Sequence, residues 1–490
     1  MNYRLVALVF GEISLIMGAL MCVPMFMALG YGESHTLAAY GIAIAICVVI
    51  GGIGLALRPP KDKRDFRPTS GFAMCGVMWI VISLIGALPY CISGYIPNYI
   101  DALFETISGF TTTGASILAE VEIIPKSLLF WRSLTQWLGG MGVLVFAIAI
   151  LPSNDKMSTA LAKAETPGPQ FGKLVSKLRF TSRILYAIYI VMTLLLVVIL
   201  CICKMPVFDS FCHAFATAST GGFSVKNASI GAYNSVSIDI VITIFMMLFS
   251  INFNVYFMII IGHFIKAIRN EELICLLIVF FVAVTAVTVD LCVRQTYDSV
   301  GDALRYGSFN VASVMSTTGF ATADFAGWST LSHVILLGVM CIGGMAGSTA
   351  GGIKASRLII VTKSSILNLR KNLSPRSVYT LKIDGKPLSE NTISSVQTFF
   401  LLYVIIIVVS TLLISIENHS MSGNMFETNF SAVIACFNNI GPGLGAVGPA
   451  GNFGGYSIFA KLVLCCDMLL GRLEILPILL MVAPRSWKRV

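Results

Sequence analysis

The chain has 490 residues, of which 56% are hydrophobic and 12% charged. Soluble domains carry about a quarter charged residues, whereas here apolar runs of about 20 residues recur from end to end, so a soluble globular protein is excluded in favour of a multi-span membrane protein. The net charge of +9 does not point to nucleic acid, because the basic residues gather in alternate loops, as the positive-inside bias predicts.

Residues 5–29 and 36–57 read as a first pair of spans joined by a short loop at 31–35. The first run lacks a small-residue cleavage pattern and reads as a retained span, a cleaved signal peptide being the alternative. The stretch from Arg58 to Arg67, with five basic residues and two prolines, reads as a cytoplasmic-side loop. One plan then repeats four times: an apolar span, a shorter amphipathic helix, a glycine-bearing loop and a second span. The paired spans lie near 71–92 and 127–151, 184–203 and 236–262, 272–293 and 331–361, and 397–416 and 456–483. The helices before the loops are too short and too polar to cross a bilayer, so they read as re-entrant segments facing a water-filled pore.

The loops carry the repeat. They are Thr111-Thr112-Thr113-Gly114, Ala218-Ser219-Thr220-Gly221, Ser316-Thr317-Thr318-Gly319 and, more loosely, Asn438-Asn439-Ile440-Gly441. Ten positions before the glycine stand Phe104, Phe211 and Phe309, with Ser431 in the fourth unit. This plan gives ten spans with both termini inside, and puts most of the 33 basic residues on the cytoplasmic side. The long polar segments 153–180 and 354–392 are the expected surface for a cytoplasmic partner. The implied units are 1–57, a two-helix extension, then 58–180, 181–268, 269–392 and 393–490. The fold class expected is an all-α integral membrane protein with four pseudo-repeats of span, pore helix, filter loop and span around one pore, plus two N-terminal spans.

Four such loops around an axis can form a ring of backbone carbonyls that replaces the water of a monovalent cation, K⁺ above all. The carbonyls point inward only if neighbouring residues alternate in hand, and glycine reaches positive φ without steric cost. Thr or Ser adds a hydroxyl at the inner end, where Thr111, Ala218, Ser316 and Asn438 are expected. Pore helices ending at the ring turn their negative ends toward the cavity and favour a cation there. The competing reading is a set of glycine turns at helix ends.

A second feature is Gly343-Gly344-Met345-Ala346-Gly347-Ser348-Thr349-Ala350-Gly351-Gly352-Ile353, inside an apolar span. Each glycine costs a helix up to about 1 kcal/mol relative to Ala. A break is expected, and a break inside a membrane must line a cavity; Gly343, Gly344, Gly347, Ser348, Thr349, Gly351 and Gly352 thus read as a flexible gate under the filter. A small-residue packing face is the alternative. The third feature is Arg472, a cation in the last span. At about 6 Å from a K⁺ site it would repel the ion by about 2–3 kcal/mol at an effective dielectric of about 20; an ion pair with Glu474 is the alternative. Lys461 is expected near the outer interface. Asp101, Asp209 and Asp302 either concentrate cations at the mouth or cap helices.

The 13 cysteines are scattered, with no CxxC pair, and the five histidines do not cluster. They read as packing residues, with no zinc, haem or iron–sulfur site. An enzyme would need a nucleophile with a base, or a metal cluster, and neither is apparent.

The loops TTTGA, STGGF, STTGF and NNIGPGLG resemble the four filters of the Trk/Ktr/HKT potassium-transporter superfamily. Gln136-Trp137-Leu138-Gly139-Gly140-Met141-Gly142, Ile251-Asn252-Phe253-Asn254, the glycine loop with Ile353-Lys354, Gly471-Arg472-Leu473-Glu474 and the extra N-terminal pair are similar to its TrkH family. The resemblance implies a homodimer in the bacterial cytoplasmic membrane, with one pore per subunit. It implies gating by a cytoplasmic ring of TrkA-type nucleotide-binding subunits, no organic cofactor in this chain, 343–353 as an intramembrane gating loop and Arg472 as a constriction residue. Four filter glycines favour K⁺ over Na⁺ by the same resemblance. The expected function is channel-like K⁺ uptake. A proton- or sodium-coupled symporter on the same scaffold is the alternative; it would use an ionisable group such as Glu12, Asp290, Asp467 or Glu474.

Overall fold

Two helices, α1 (Tyr3–Tyr31) and α2 (Ser34–Ala56), open the chain as a hairpin turned by Gly32 at φ 71°. In this computed structural model the described residues are 3–58, 68–142, 178–374, 380–417 and 424–482. The basic loop expected at 58–67, most of the polar segment 153–180, and the end of the span expected over 127–151 lie outside them. Glycines let α1 and α2 meet at backbone contact: a Cβ built on Gly54 would stand 2.7 Å from the Cα of Gly11 and 2.5 Å from the carbonyl oxygen of Ala7.

The first unit follows as α3 (Pro68–Gly86), α4 (Leu88–Ile92), the pore helix α5 (Tyr99–Phe110) and α6 (Lys126–Gly140). Glu33, in the turn of the N-terminal hairpin, accepts from the amides of Lys126 (2.9 Å) and Ser127 (3.2 Å). Pro125 gives α6 no side-chain cap of its own, so this carboxylate supplies one from a distance and fastens the hairpin to the first unit.

The second unit is α7 (Leu178–Ile202), the pore helix α8 (Val207–Ala218), α9 (Val236–Phe249) and α10 (Phe253–Ile260), followed by the short α11 (Phe264–Ile268). The third is α12 (Glu271–Val293), the pore helix α13 (Val300–Met315), α14 (Thr330–Ile342) and α15 (Ala355–Leu373). A hairpin of β1 (Lys382–Ile383) and β2 (Lys386–Pro387) follows, antiparallel, with Ile383 opposite Lys386. The fourth unit is α16 (Glu390–Ser415), the pore helix α17 (Met425–Phe437), α18 (Ile458–Arg472) and α19 (Leu476–Val482).

The sequence suggested one interrupted span, in the third unit. The structure interrupts the second span of the second and fourth units too, and ends the first helix of the first unit's second span within its described part. Helix α6 stops at Gly140; α9 and α10 meet at 90°; α14 and α15 flank the twelve residues 343–354; and α18 gives way to α19 through Glu474 and Ile475, both at positive φ. Asn252 makes the break in the second unit stable by capping α10, accepting from the amide of Asn254 at 2.8 Å. Six helices among the described residues are therefore long and apolar enough to cross a membrane, or seven with the bent pair, where uninterrupted spans would have given ten. The missing spans are the broken ones of the second to fourth units and that of the first unit, which is described only to Gly142.

Packing closes the units into a ring. Each unit's second span lies on its own pore helix and on that of the next unit: α6 on α8, α9 on α13, α14 on α17, and α18 on α5. Helix α19 returns to pack on α3, which joins the last unit to the first. The pore helices and the loops that follow them are the buried centre of this ring.

The N-terminal hairpin offers a direct test. Replacing Gly54 with Val pushes a branched side chain into the backbone of α1, at a cost of about 1–3 kcal/mol. A lower melting temperature of the purified protein in detergent is expected, with K⁺ over Na⁺ preference intact. An unchanged melting temperature would mean that the two backbones are not in contact.

Candidate functional site

Each pore helix ends in the same way. The capping residues are Thr111, Ser219, Ser316 and Asn438. The next residues, Thr112, Thr220, Thr317 and Asn439, take left-handed φ values of 57°, 54°, 57° and 56°. One residue later the amides of Thr113, Gly221, Thr318 and Ile440 reach back to Ser108, Ala216, Ser313 and Ala435 at 2.8–2.9 Å. That is the Schellman closure, usually made by glycine. A β-branched Thr in this region is strained by about 1–2 kcal/mol, and three of the four units carry one there.

A second left-handed residue follows two positions on: Gly114 (φ 80°), Gly222 (78°), Gly319 (83°) and Gly441 (101°). In the second loop it is Gly222, not Gly221, that meets the geometric demand. Aligning the loops on the first glycine of Ser-Thr-Gly-Gly sets the second one residue out of register, and the spacing from Phe211 points the same wrong way. Phe104 and Phe309 are fully buried, whereas Phe211 is half-buried and Cys212 fills the equivalent core position. Ser219 thus corresponds to Thr111, and Ala218 is the last residue of α8.

With that register the loops close on one another. A Cβ on Gly114 would stand 2.2 Å from the carbonyl oxygen of Gly221. One on Gly222 would stand 1.9 Å from that of Thr318, and one on Gly319 1.9 Å from that of Ile440. One on Gly441 would stand 2.8 Å from that of Thr113, completing the cycle. These carbonyls, with the buried hydroxyls of Thr113 and Thr318, are neutral oxygen donors of the kind that can replace the hydration of a monovalent cation.

Side chains behind the cycle hold it. Gln136 clamps the second loop, donating to the carbonyl of Gly221 and accepting from the amide of Phe223 at 3.1 Å. Arg132 donates to Glu105 at 2.6 Å and to the carbonyl of Ser224 at 2.9 Å, with its guanidinium 3.6 Å over the Phe223 ring. Glu105 in turn accepts from Ser116 and the amide of Ile117. This buried ion pair ties the exits of the first two loops together. Thr111 bonds Thr113 at 2.8 Å and Ser316 bonds Thr318 at 2.7 Å. Asn439 donates to Thr113 at 2.9 Å and to the carbonyl of Met468 at 3.0 Å, linking the fourth loop to the first and to α18. Of these supports, Gln136 lies in the Gln136–Gly142 motif, whereas Glu105 and Arg132 belong to no motif of the sequence. Their signal was a charge inside each of two neighbouring apolar segments.

The 343–354 segment lies against the cycle on the side of the helix ends. The amide of Gly351 donates to Thr317 at 2.6 Å, and a Cβ on Gly351 would stand 2.1 Å from the carbonyl oxygen of Asn438. Its partners are the second residue of the third loop and the first of the fourth, not their glycines. Gly343, Gly347 and Gly352 take positive φ, and a Cβ on Gly344 would meet Ala350 at 2.5 Å. Met345 donates to the carbonyl of Ser250 at 2.9 Å, Thr349 to that of Phe249 at 3.1 Å, and Ser348 to that of Met345 at 2.7 Å. The segment therefore covers the break between α9 and α10. A packing face between straight helices is not what these glycines form.

Arg472 reaches the same place. It donates to the carbonyl of Thr349 at 3.0 Å, to that of Gly140 at 2.7 Å, and to that of Gly139. It bridges the 343–354 segment and the end of α6. Glu474, the partner considered from sequence, is bound to Arg357 at 2.5 Å. Lys461, itself buried, forms an ion pair with the half-buried Asp101 at 2.6 Å. Asp302 is engaged with Ser299 at the start of α13, and Asp209 accepts from Tyr233 at 2.6 Å. Asp290 accepts from Ser332 at 2.6 Å, and Asp467 from Ser410 on α16 at 2.7 Å, so neither is directed at the carbonyl cycle.

A family model described as "TrkH: Cation transport protein" matches residues 38–489. The chain is 34% identical over 492 residues to the Trk system potassium uptake protein TrkH of Salmonella typhimurium, covering 100% of both. It is 35% identical to the Trk system potassium uptake protein TrkG of Escherichia coli (strain K12), covering 95% of this chain and 94% of that one. The crystal structure of the potassium transporter TrkH from Vibrio parahaemolyticus superposes with a TM-score of 0.87 at 31% identity, covering 100% of each chain. The family model spans nearly the whole chain, and the chain belongs to the TrkH family of cation transport proteins.

Proposed function

We propose that this chain, a multi-pass inner-membrane potassium uptake transporter of the Trk type, conducts K⁺ through the carbonyl cycle and is gated by the 343–354 segment beneath it. The observation that carries the reading is the closed succession of glycine-to-carbonyl contacts through all four loops. The negative ends of four pore helices converge on the inner side of that cycle and favour a cation there. Arg472 joins the gate to the end of α6 and adds a positive charge in the path. The units proposed are 58–180, 181–268, 269–392 and 393–490, after a two-helix extension at 1–57. Both termini are placed in the cytoplasm. The assembly proposed is a homodimer with one pore per subunit, under a ring of TrkA-type nucleotide-binding subunits. The family membership and the basic residues between Lys354 and Lys386 support it. Coupling to protons or Na⁺ is tested by K⁺ flux into proteoliposomes with and without a pH or Na⁺ gradient. Uptake driven uphill by either gradient would replace the channel-like reading by the symport one.

Selectivity gives a prediction that depends on register. Gly222→Ser places a side chain on the carbonyl of Thr318 and demands positive φ of serine. Gly221→Ser meets only the amide end of Gln136 and needs no positive φ. K⁺ over Na⁺ flux ratios should collapse in Gly222→Ser, as in Gly114→Ser and Gly319→Ser, and fall less in Gly221→Ser. A larger loss in Gly221→Ser than in Gly222→Ser would restore the other register.

Arg472→Ala should speed K⁺ flux while leaving the ion preference nearly unchanged. Removing about 2–3 kcal/mol of repulsion raises the rate by up to about a hundredfold where no other step limits. Arg472→Lys retains the charge and loses the planar fork that spans three carbonyls. It should remain slow if the barrier is electrostatic; a Lys variant as fast as the Ala variant would show that Arg472 acts by pinning the gate instead.

A further inference from the structure

The amide groups at the two ends of the 343–354 segment converge on one carboxylate. Glu272, in the first turn of α12, accepts from the amide of Ala346 at 2.7 Å and from that of Ser356 at 3.0 Å, both on the same oxygen. The residue is 7% exposed. Ser356 lies in the first turn of α15, whose N-cap residue Lys354 provides no side-chain hydrogen bond. Glu272 therefore supplies from another helix the acceptor that this helix start lacks, while holding the front of the glycine segment with the same atom. Bonds to a charged acceptor are about twice as strong as neutral ones, so one side chain has leverage over both flanks of the break.

The start of α12 is itself held from outside. Asp384, in the turn of the β-hairpin, accepts from the side chain of Asn270 at 2.8 Å and from the amide of Glu271 at 2.9 Å. Asp384 and Gly385 both take positive φ, as the two-residue turn requires. Lys363 on α15 binds Glu271 and donates to the carbonyl of Lys382 at 3.0 Å. Leu381 and Ile383 of the hairpin are buried with Ile360 and Val396. The hairpin is thus packed on the two helices beside the gate and bonded to the residues immediately before Glu272.

We propose that Glu272 is the positioning residue that latches the 343–354 segment closed, and that the hairpin at 382–387 sets the latch by fixing the start of α12. This rests on the reading of 343–354 as the gate. A displaced hairpin moves Glu272, and with it both ends of the segment, without touching the carbonyl cycle.

The test uses the full-length protein in proteoliposomes and Rb⁺ flux per folded molecule, with deletion of 347–351 as the reference for an open gate. Glu272→Ala removes the acceptor, and Glu272→Asp withdraws it by one methylene; each should raise basal flux at least about threefold. Glu272→Gln keeps an oxygen in place and should stay within about twofold of the parent. Asp384→Ala should give a smaller rise and add nothing to Glu272→Ala. Amide hydrogen exchange should quicken at 343–356 in the Ala and Asp variants and stay unchanged at 316–320. Parental flux in the Ala and Asp variants, with raised flux in the deletion, would overturn the latch and leave the gate. Parental flux in all three would remove the gate reading as well. Should the Ala variant fail to fold, the Asp variant decides by the same outcomes. Additive effects of Asp384→Ala and Glu272→Ala would overturn the hairpin's part.

Discussion

One contact governs the arrangement: a carbonyl of each loop occupies the space that a Cβ would fill on the preceding loop's glycine. It is a backbone-to-backbone approach, and only glycine at positive φ allows it. Because the contact runs from each loop to the next and returns from the fourth to the first, no loop can be altered alone. The Schellman turns that lead into it hold non-glycine residues in a left-handed conformation, at about 1–2 kcal/mol each. That strain is tolerated where the surroundings over-determine it. Gln136, the Glu105–Arg132 pair and Asn439 perform this task, and they are buried with the loops they hold.

The four units share a second constraint, which they meet differently. Each second span stops at the level of the pore-helix ends, leaving helical carbonyls and amides that lipid cannot satisfy. Near the break of the first unit, the carbonyls of Gly139 and Gly140 accept from Arg472. In the second, Ser250 accepts from Met345. In the third, the intervening segment folds back, with Lys354 donating to Ile342 and Ala355 to Gly344. In the fourth, Ile475 donates back to Leu470. The units are alike at the carbonyl cycle and unlike at the breaks. Symmetry is kept where backbone approaches backbone around the cycle and abandoned where each break finds its own hydrogen-bond partners.

The fold class and the repeat were legible because both rest on local pattern. Apolar length marks spans, polarity marks the re-entrant helices, and small residue–Thr–Gly marks their ends. The register of the second loop was not legible. Ser-Thr-Gly-Gly offers two glycines, and the choice between them is made by Thr318, a residue of another unit. The breaks of the second and fourth units were hidden for a related reason. They occur at Ser250-Ile251-Asn252 and at Leu473-Glu474-Ile475, where no glycine cluster announces them; the glycines at 139, 140 and 142 did mark the end of α6. The same applies to Glu272 and Gln136: each is an ordinary polar residue until the fold brings it to a distant loop.

The charges beneath the cycle each have a partner of their own. Arg357 is neutralised by Glu474 and stacked 3.9 Å from the Phe399 ring, and Lys354 is turned onto the carbonyl of Ala350. Arg472 instead binds three carbonyls. Two of those carbonyls belong to the end of α6, and the pore-helix ends nearby each carry about half a negative charge. On the proposed reading, the field that would favour K⁺ in the cavity is the field that stabilises the guanidinium. An arriving ion and Arg472 would then compete for one set of dipoles, so strengthening the attraction for the ion would also strengthen the hold on Arg472. Relief would then require moving carbonyls apart from the arginine, and of the three only that of Thr349 lies on a segment without regular helical structure.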